Sequence, residues 1–115
     1  MIKRFQAGPR MSQVVVHGKT VYISGQVADD RKGSLERQTE QVLSKIDALL
    51  TAAGTDKSKL LAVNVLLPNI MDFDAMNKLY DQWIDKANPP ARACLEARLA
   101  DPDLRIEITA VAAIS

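Results

Sequence analysis

The chain has 115 residues, which suits one domain and leaves no room for a second, and 47% of them are hydrophobic, enough for a core. Formal net charge is +1 with 25% charged residues, so no broad field gathers nucleic acid or anionic membrane. No run of 18 apolar residues is present to span a bilayer. Met1-Ile2-Lys3-Arg4-Phe5-Gln6 has early charge without an apolar h-region, which predicts no secretory leader. The single cysteine excludes an internal disulfide, and the expectation is a cytoplasmic protein in a reducing compartment.

In chain order, an extra N-terminal strand over Lys3 to Gln6 precedes the first clear one expected, Val14 to His17. Gly18-Lys19 then turns tightly into a strand over Thr20 to Gln26. Ala28-Asp29-Asp30-Arg31-Lys32-Gly33 has loop chemistry throughout. Ser34 is placed to cap a helix. Leu35, Val42, Leu43, Ile46, Leu49, Leu50 and Ala53 recur at helical spacing along it, and Gly54 stops it. Leu60 to Leu67 reads as a buried strand before Pro68. Asp72 is expected to cap a second helix with Phe73, Met76, Leu79, Tyr80, Trp83 and Ile84 on its buried stripe, ended by Asn88-Pro89-Pro90. Two strands close the chain, Ala91 to Leu99 and Leu104 to Ile114, turning at Asp101-Pro102-Asp103. The order ββαβαββ predicts an α+β domain, one mixed sheet with two helices on one face. The other face, with Val111 and Ala113 beside Glu107, is half apolar and uncovered, so it predicts self-association.

The closing strands carry the candidate site. Alternation puts Arg92, Cys94, Glu96 and Arg98 on one face and Ala93, Leu95, Ala97 and Leu99 on the other. Glu107 and Thr109 oppose Ile106, Ile108 and Ala110. The helices of a two-layer domain are expected to cover the apolar faces, which leaves Arg92, Cys94 and Glu107 together on neighbouring strands on the uncovered side, a compact polar site for a small anion and a water. Arg92 follows a Pro-Pro bend that fixes where its strand begins, and a guanidinium suits bidentate capture of a carboxylate; the plainer alternative is a surface arginine paired with Glu96 or Glu107. Glu107 either pairs with Arg92 or Arg105 or holds and polarises a water. Cys94 has no base to activate it, His17 being the only histidine, and reads as a site-lining residue rather than a nucleophile. One histidine, one cysteine and scattered carboxylates make no metal-ligand set.

Pro89-Pro90-Ala91-Arg92-Ala93-Cys94 followed by Ile106-Glu107-Ile108 resembles the C-terminal signature of the RidA (YjgF/YER057c/UK114) family of imine and enamine deaminases. Val21-Tyr22-Ile23-Ser24-Gly25-Gln26, Ala52-Ala53-Gly54 and Asp72-Phe73-x-x-Met76-Asn77-x-x-Tyr80 extend the resemblance, in the family's order, over nearly the whole chain, residues 1–115 being one RidA-like domain. It implies a chorismate-mutase-like fold assembled as a homotrimer around a central barrel, with active sites between subunits. Arg92 would anchor a substrate carboxylate, and Glu107 would position water and shuttle protons. The main chain at Cys94 would meet the substrate nitrogen. Ser24 and Gly25 would come from across the interface, and Asn77 would stand near the cleft. Where the family's archetype has tyrosine after Gly-Pro, this chain has Arg10 and Met11 after Gly8-Pro9; Arg10 either favours acidic substrates or makes a surface ion pair.

The activity so implied is hydrolysis of enamines and imines of the 2-aminoacrylate type to 2-oxo acids and ammonia, a form of metabolite damage control. An imine carbon is already electrophilic, so the chemistry calls for no cofactor and no metal. The alternative is a non-catalytic trimer that binds or senses 2-oxo acids or related small carboxylates. A ribonuclease reading, also attached to the family, sits poorly with near-neutral charge and 4% aromatic residues. No nucleic-acid or membrane partner is expected.

Overall fold

The computed structural model describes residues 1–114. Six strands form one sheet: β1 (Ile2–Ala7), β2 (Ser12–His17), β3 (Thr20–Gln26), β4 (Leu60–Leu67), β5 (Ala91–Glu96) and β6 (Glu107–Ala113). Two helices, α1 (Leu35–Ala52) and α2 (Phe73–Trp83), cross over it. The strand order is β1-β2-β3-β6-β4-β5. All neighbours are antiparallel except β4 and β5. The sheet is therefore mixed, with the N-terminal strand fully part of it. The molecule is a slab 19 Å along its shortest axis, about one sheet plus one helical layer at ~10 Å each.

α1 behaves as its sequence predicts. Ser34 caps it, its side chain accepting from the Arg37 amide at 3.1 Å. Gly54 takes φ 85°, a left-handed conformation that costs a glycine little. Gly54 N–H then reaches the Thr51 carbonyl and Thr55 N–H the Leu50 carbonyl, both at 3.0 Å, a Schellman ending. All seven apolar positions of the predicted stripe are buried. Gln38 and Thr39 are buried with them. Gln38 Nε2 donates to the carbonyls of Arg31, Gly33 and Asp103, and its Oε1 accepts from the Arg105 amide at 2.8 Å. One buried amide thus ties the loop before α1 to the turn before β6.

α2 starts differently from expectation. Asn69, not Asp72, makes the side-chain cap: its Oδ1 accepts from the Met71 amide at 3.0 Å and opens a single 3₁₀ turn that runs into the helix. Asp72 makes no cap bond; its carboxylate pairs with Arg105 at 3.1 Å, which draws it away from the helix amides. On the predicted stripe Met76 and Tyr80 are buried, Leu79, Trp83 and Ile84 are half-buried, and Phe73 is exposed. Trp83 Nε1 donates to Asp47 at 2.9 Å and joins the helices.

The closing strands are shorter than predicted and are not neighbours. β5 stops at Glu96 and β6 begins at Glu107. The turn at Asp101-Pro102-Asp103 exists, with Leu104 N–H bonded to the Asp101 carbonyl at 3.1 Å. However, β4 lies between the two strands. The cause is the unit β4–α2–β5, in which a helical crossover returns the chain parallel to β4 and leaves β5 at the edge.

Strand pairing fixes which residues share a face. Val63, Val65 and Leu67 of β4, buried under the helices, stand opposite Arg92, Cys94 and Glu96. Asn64 and Leu66, facing the other way, stand opposite Ala93 and Leu95 on one side and Thr109 and Glu107 on the other. Arg92 and Cys94 are therefore on the helix side, and Ala93 and Leu95 on the uncovered side, the reverse of the predicted assignment. Glu107 is on the uncovered face, as expected. That face carries the row Val15, Tyr22, Val111, Ala62 and Ala91 across five strands. Tyr22 and Leu95 remain 48% and 53% exposed.

Candidate active site

The first half of the site is built by β5 and α2. Phe73, Asn77 and Tyr80 recur at i, i+4 and i+7 and so line one face of α2. All three meet Arg92. Its Nη1 donates to Asn77 Oδ1 at 2.7 Å. Its guanidinium carbon lies 4.7 Å from the Tyr80 ring centroid and 5.8 Å from that of Phe73, a cation–π seat. The described ion pairs engage Arg31, Lys32, Arg37, Lys45 and Arg105. Arg92 is not among them: it is oriented by an amide and two rings, and no ion pair among the described residues engages its charge. Burial pushes the Tyr80 phenol above its ordinary pKa against the pull of Arg92, so the ring beneath the cation stays neutral at physiological pH.

Cys94 follows Arg92 on the same side of β5, half-buried against the core. Burial raises its thiol pKa, and the neighbouring guanidinium offsets this only in part. The neutral thiol is a poor nucleophile, which agrees with a lining role.

The second half sits where β3 meets β6. Register shifts between Ile23, opposite Ala110, and Gln26, opposite Ile108. Ser24 and Gly25 together face the single residue Thr109, a bulge, and bulges commonly re-aim groups beside active sites. The Gly25 backbone packs on Glu107: a Cβ added there would stand 2.1 Å from Glu107 Oε2. Ser24 Oγ donates to Gln13 Oε1 at 3.2 Å. Gln26, 4% exposed, donates from Nε2 to Gln13 Oε1 at 2.8 Å and to Ser24 O and Oγ at 3.1 and 3.2 Å.

The predicted residues thus fall into two clusters rather than one. Arg92, Cys94 and Asn77 are brought together, and so are Ser24, Gly25 and Glu107. Ser24 and Gly25 accompany Glu107 on its own chain. Arg92 and Glu107 do not pair, because the sheet lies between them and β5 and β6 are two strands apart, roughly 10 Å. Arg10 lies in the exposed turn between β1 and β2, at the edge opposite β5. No group of three or more histidine, cysteine, aspartate or glutamate residues suited to a metal occurs among the described residues. Among the described residues no helix is long and apolar enough to cross a membrane. Sequence reading placed Phe73 and Tyr80 in the core stripe and missed their contact with Arg92. The signal was their spacing with Asn77.

A family model described as Endoribonuclease L-PSP matches residues 1–114. A RutC family protein of Haemophilus ducreyi is 42% identical over 115 residues, covering 100% of this chain and 98% of that protein. A 2-iminobutanoate/2-iminopropanoate deaminase of Homo sapiens is 37% identical over 107 residues, covering 88% of this chain and 77% of that one. The crystal structure of a YjgF family member from Neisseria meningitidis matches with a TM-score of 0.96 at 36% identity, over 100% of this chain and 96% of that chain. The fold is an α+β scaffold of one mixed sheet and two helices, and the chain belongs to the RidA/YjgF family.

Proposed function

We propose that this protein hydrolyses enamines and imines of amino-acid origin, of the 2-aminoacrylate type, to 2-oxo acids and ammonia. The observation that carries the reading is Arg92, a guanidinium oriented by Asn77 and Tyr80 with no carboxylate partner among the described residues. The human relative's name supplies the reaction class. An enamine takes a proton on its terminal carbon to give the imine. Water adds to the imine carbon and forms a carbinolamine, whose C–N bond breaks to release ammonia and the 2-oxo acid. Arg92 binds the α-carboxylate throughout. Glu107, held against Gly25, removes a proton from the attacking water and returns one to the departing nitrogen. Main-chain groups near Cys94 hold the nitrogen. Orientation and proton transfer together supply roughly a hundred-fold or more over the uncatalysed reaction.

Arg92 of one chain and Glu107 of another complete each site in this reading. The clusters lie on opposite faces of one chain, and the uncovered face exposes Tyr22 and Leu95. A head-to-tail contact between two different patches forms a ring where its rotation closes, and three chains sharing three clefts satisfy that arrangement. The test generates imines in situ from several amino acids with an amino-acid oxidase and follows trapping by semicarbazide. The protein should lower semicarbazone yield by hydrolysing the imine first. Unchanged yield with every imine, together with binding of a 2-oxo acid, would instead establish a sensor.

A further inference from the structure

The Ser24–Gly25 bulge is the part of β3 that touches Glu107, and a bulge is the part of a strand least held by the ladder. Here the missing restraint comes from Gln26. Its side chain folds back along its own strand, and its amide hydrogens are shared among Ser24 O, Ser24 Oγ and Gln13 Oε1. Ser24 Oγ closes the triangle by donating to the same Gln13 oxygen. Gln26 is nearly fully buried. Burying a primary amide is costly unless its bonds are made, and each bond recorded from this donor ends on the bulge or on the adjacent strand β2. A residue needed only to fill the core beside Ile108 would be apolar.

We propose that Gln26 is a positioning residue for the hydrolytic step. It staples the bulge, with Gln13 as its anchor on β2, and so fixes the glycine surface against which the Glu107 carboxylate rests. The space between Gly25 and Glu107 leaves no slack, since even a methyl group there would collide with Oε2. Loosening of the bulge therefore passes directly into the carboxylate that handles water. Arg92 and Asn77, on the other cluster, are untouched. Gln26 thus acts on turnover and not on carboxylate capture. The inference rests on the deaminase reading for its activity readout.

The experiment compares wild type with Gln26→Leu and Gln26→Glu, each as the intact assembled protein. Leucine keeps the volume and removes the donor. Expected is a kcat about tenfold or more below wild type, with KM within about threefold. Glutamate keeps the shape but cannot donate when ionised. It regains one donor when protonated, so activity relative to wild type should rise as pH falls from 8 to 5. If Gln26→Leu fails to fold, the Gln26→Glu profile decides. Wild-type kcat in folded Gln26→Leu, or a ratio for Gln26→Glu that does not change with pH, overturns the proposal. Should wild type itself prove inactive on every imine, the deaminase reading fails, and the staple is then judged by the Gly25 amide resonance. That resonance should show a pH step in Gln26→Glu that is absent in wild type; its absence would overturn the staple independently.

Discussion

Arg92 stands opposite Val63 and Glu107 opposite Leu66, on the same strand β4 but on opposite faces of the sheet. In the proposed mechanism both groups act on one substrate, so the guanidinium and the carboxylate must come from different chains. Two inactive variants should rescue one another. Arg92→Ala retains Glu107, and Glu107→Gln retains Arg92. Unfolded together and refolded as mixed rings, they should form about a quarter of their sites with both groups intact. Sedimentation equilibrium of wild type should give about three chains per particle. A stable monomer, or mixed rings no more active than either parent, would sink the shared cleft.

The two residues should also separate kinetically. In the proposed mechanism Arg92 binds the carboxylate in ground and transition states alike, whereas Glu107 acts chiefly in the transition state. Arg92→Ala should abolish imine hydrolysis and weaken 2-oxo acid binding by about 2–4 kcal/mol for a charge-assisted contact desolvated between chains. Glu107→Gln should bind the acid nearly as wild type does, by calorimetry, and lose most of its hydrolysis. Wild-type hydrolysis in Glu107→Gln would refute the role given to the carboxylate.

Much of this was legible in the sequence. Ser34, Gly54 and the apolar stripe of α1 act locally, through capping and helical period, and each predicts its own place. The faces of β5 were not legible. Alternation shows that Arg92 and Cys94 share a face but not which face that is. The usual guess, apolar residues toward the helices, fails because Ala93 and Leu95 join an apolar surface that this chain leaves uncovered. The partner of β5 was equally hidden. Asp101-Pro102-Asp103 looks like a hairpin turn, yet the crossover through α2 sets β5 beside β4, and only the unit β4–α2–β5 read as a whole would have shown it. Gln26 was visible as the end of a motif. Its burial and its fold-back onto Ser24 depend on a bulge that no local pattern announces.

Gly25 should be the least replaceable small residue of the site. Its neighbour is the far end of the Glu107 side chain, which can swing aside, so Gly25→Ala should still fold. The stability cost should stay near 1–2 kcal/mol by denaturant unfolding. Activity should fall by roughly 10–100-fold, because the carboxylate is displaced from its working position. A Gly25→Ala variant with normal turnover would show that the close fit to Glu107 has no part in the reaction.

Cys94 supplies a prediction whose sign follows from its surroundings. Burial favours the neutral thiol and raises the pKa, while the Arg92 charge favours the thiolate and only partly offsets it. At neutral pH the thiolate fraction should be lower than in an unfolded chain. Iodoacetamide should therefore alkylate native Cys94 more slowly than the same cysteine in denaturant. The native rate should rise only at pH above the ordinary thiol range. Arg92→Ala removes the lowering influence, so it should slow alkylation further; if it accelerated the reaction, improved access would outweigh charge and the electrostatic account would fail. Since the thiol is not poised to attack, Cys94→Ala should keep substantial imine hydrolysis. Complete loss of activity in a folded, correctly assembled Cys94→Ala protein would mean that sulfur takes part in the chemistry.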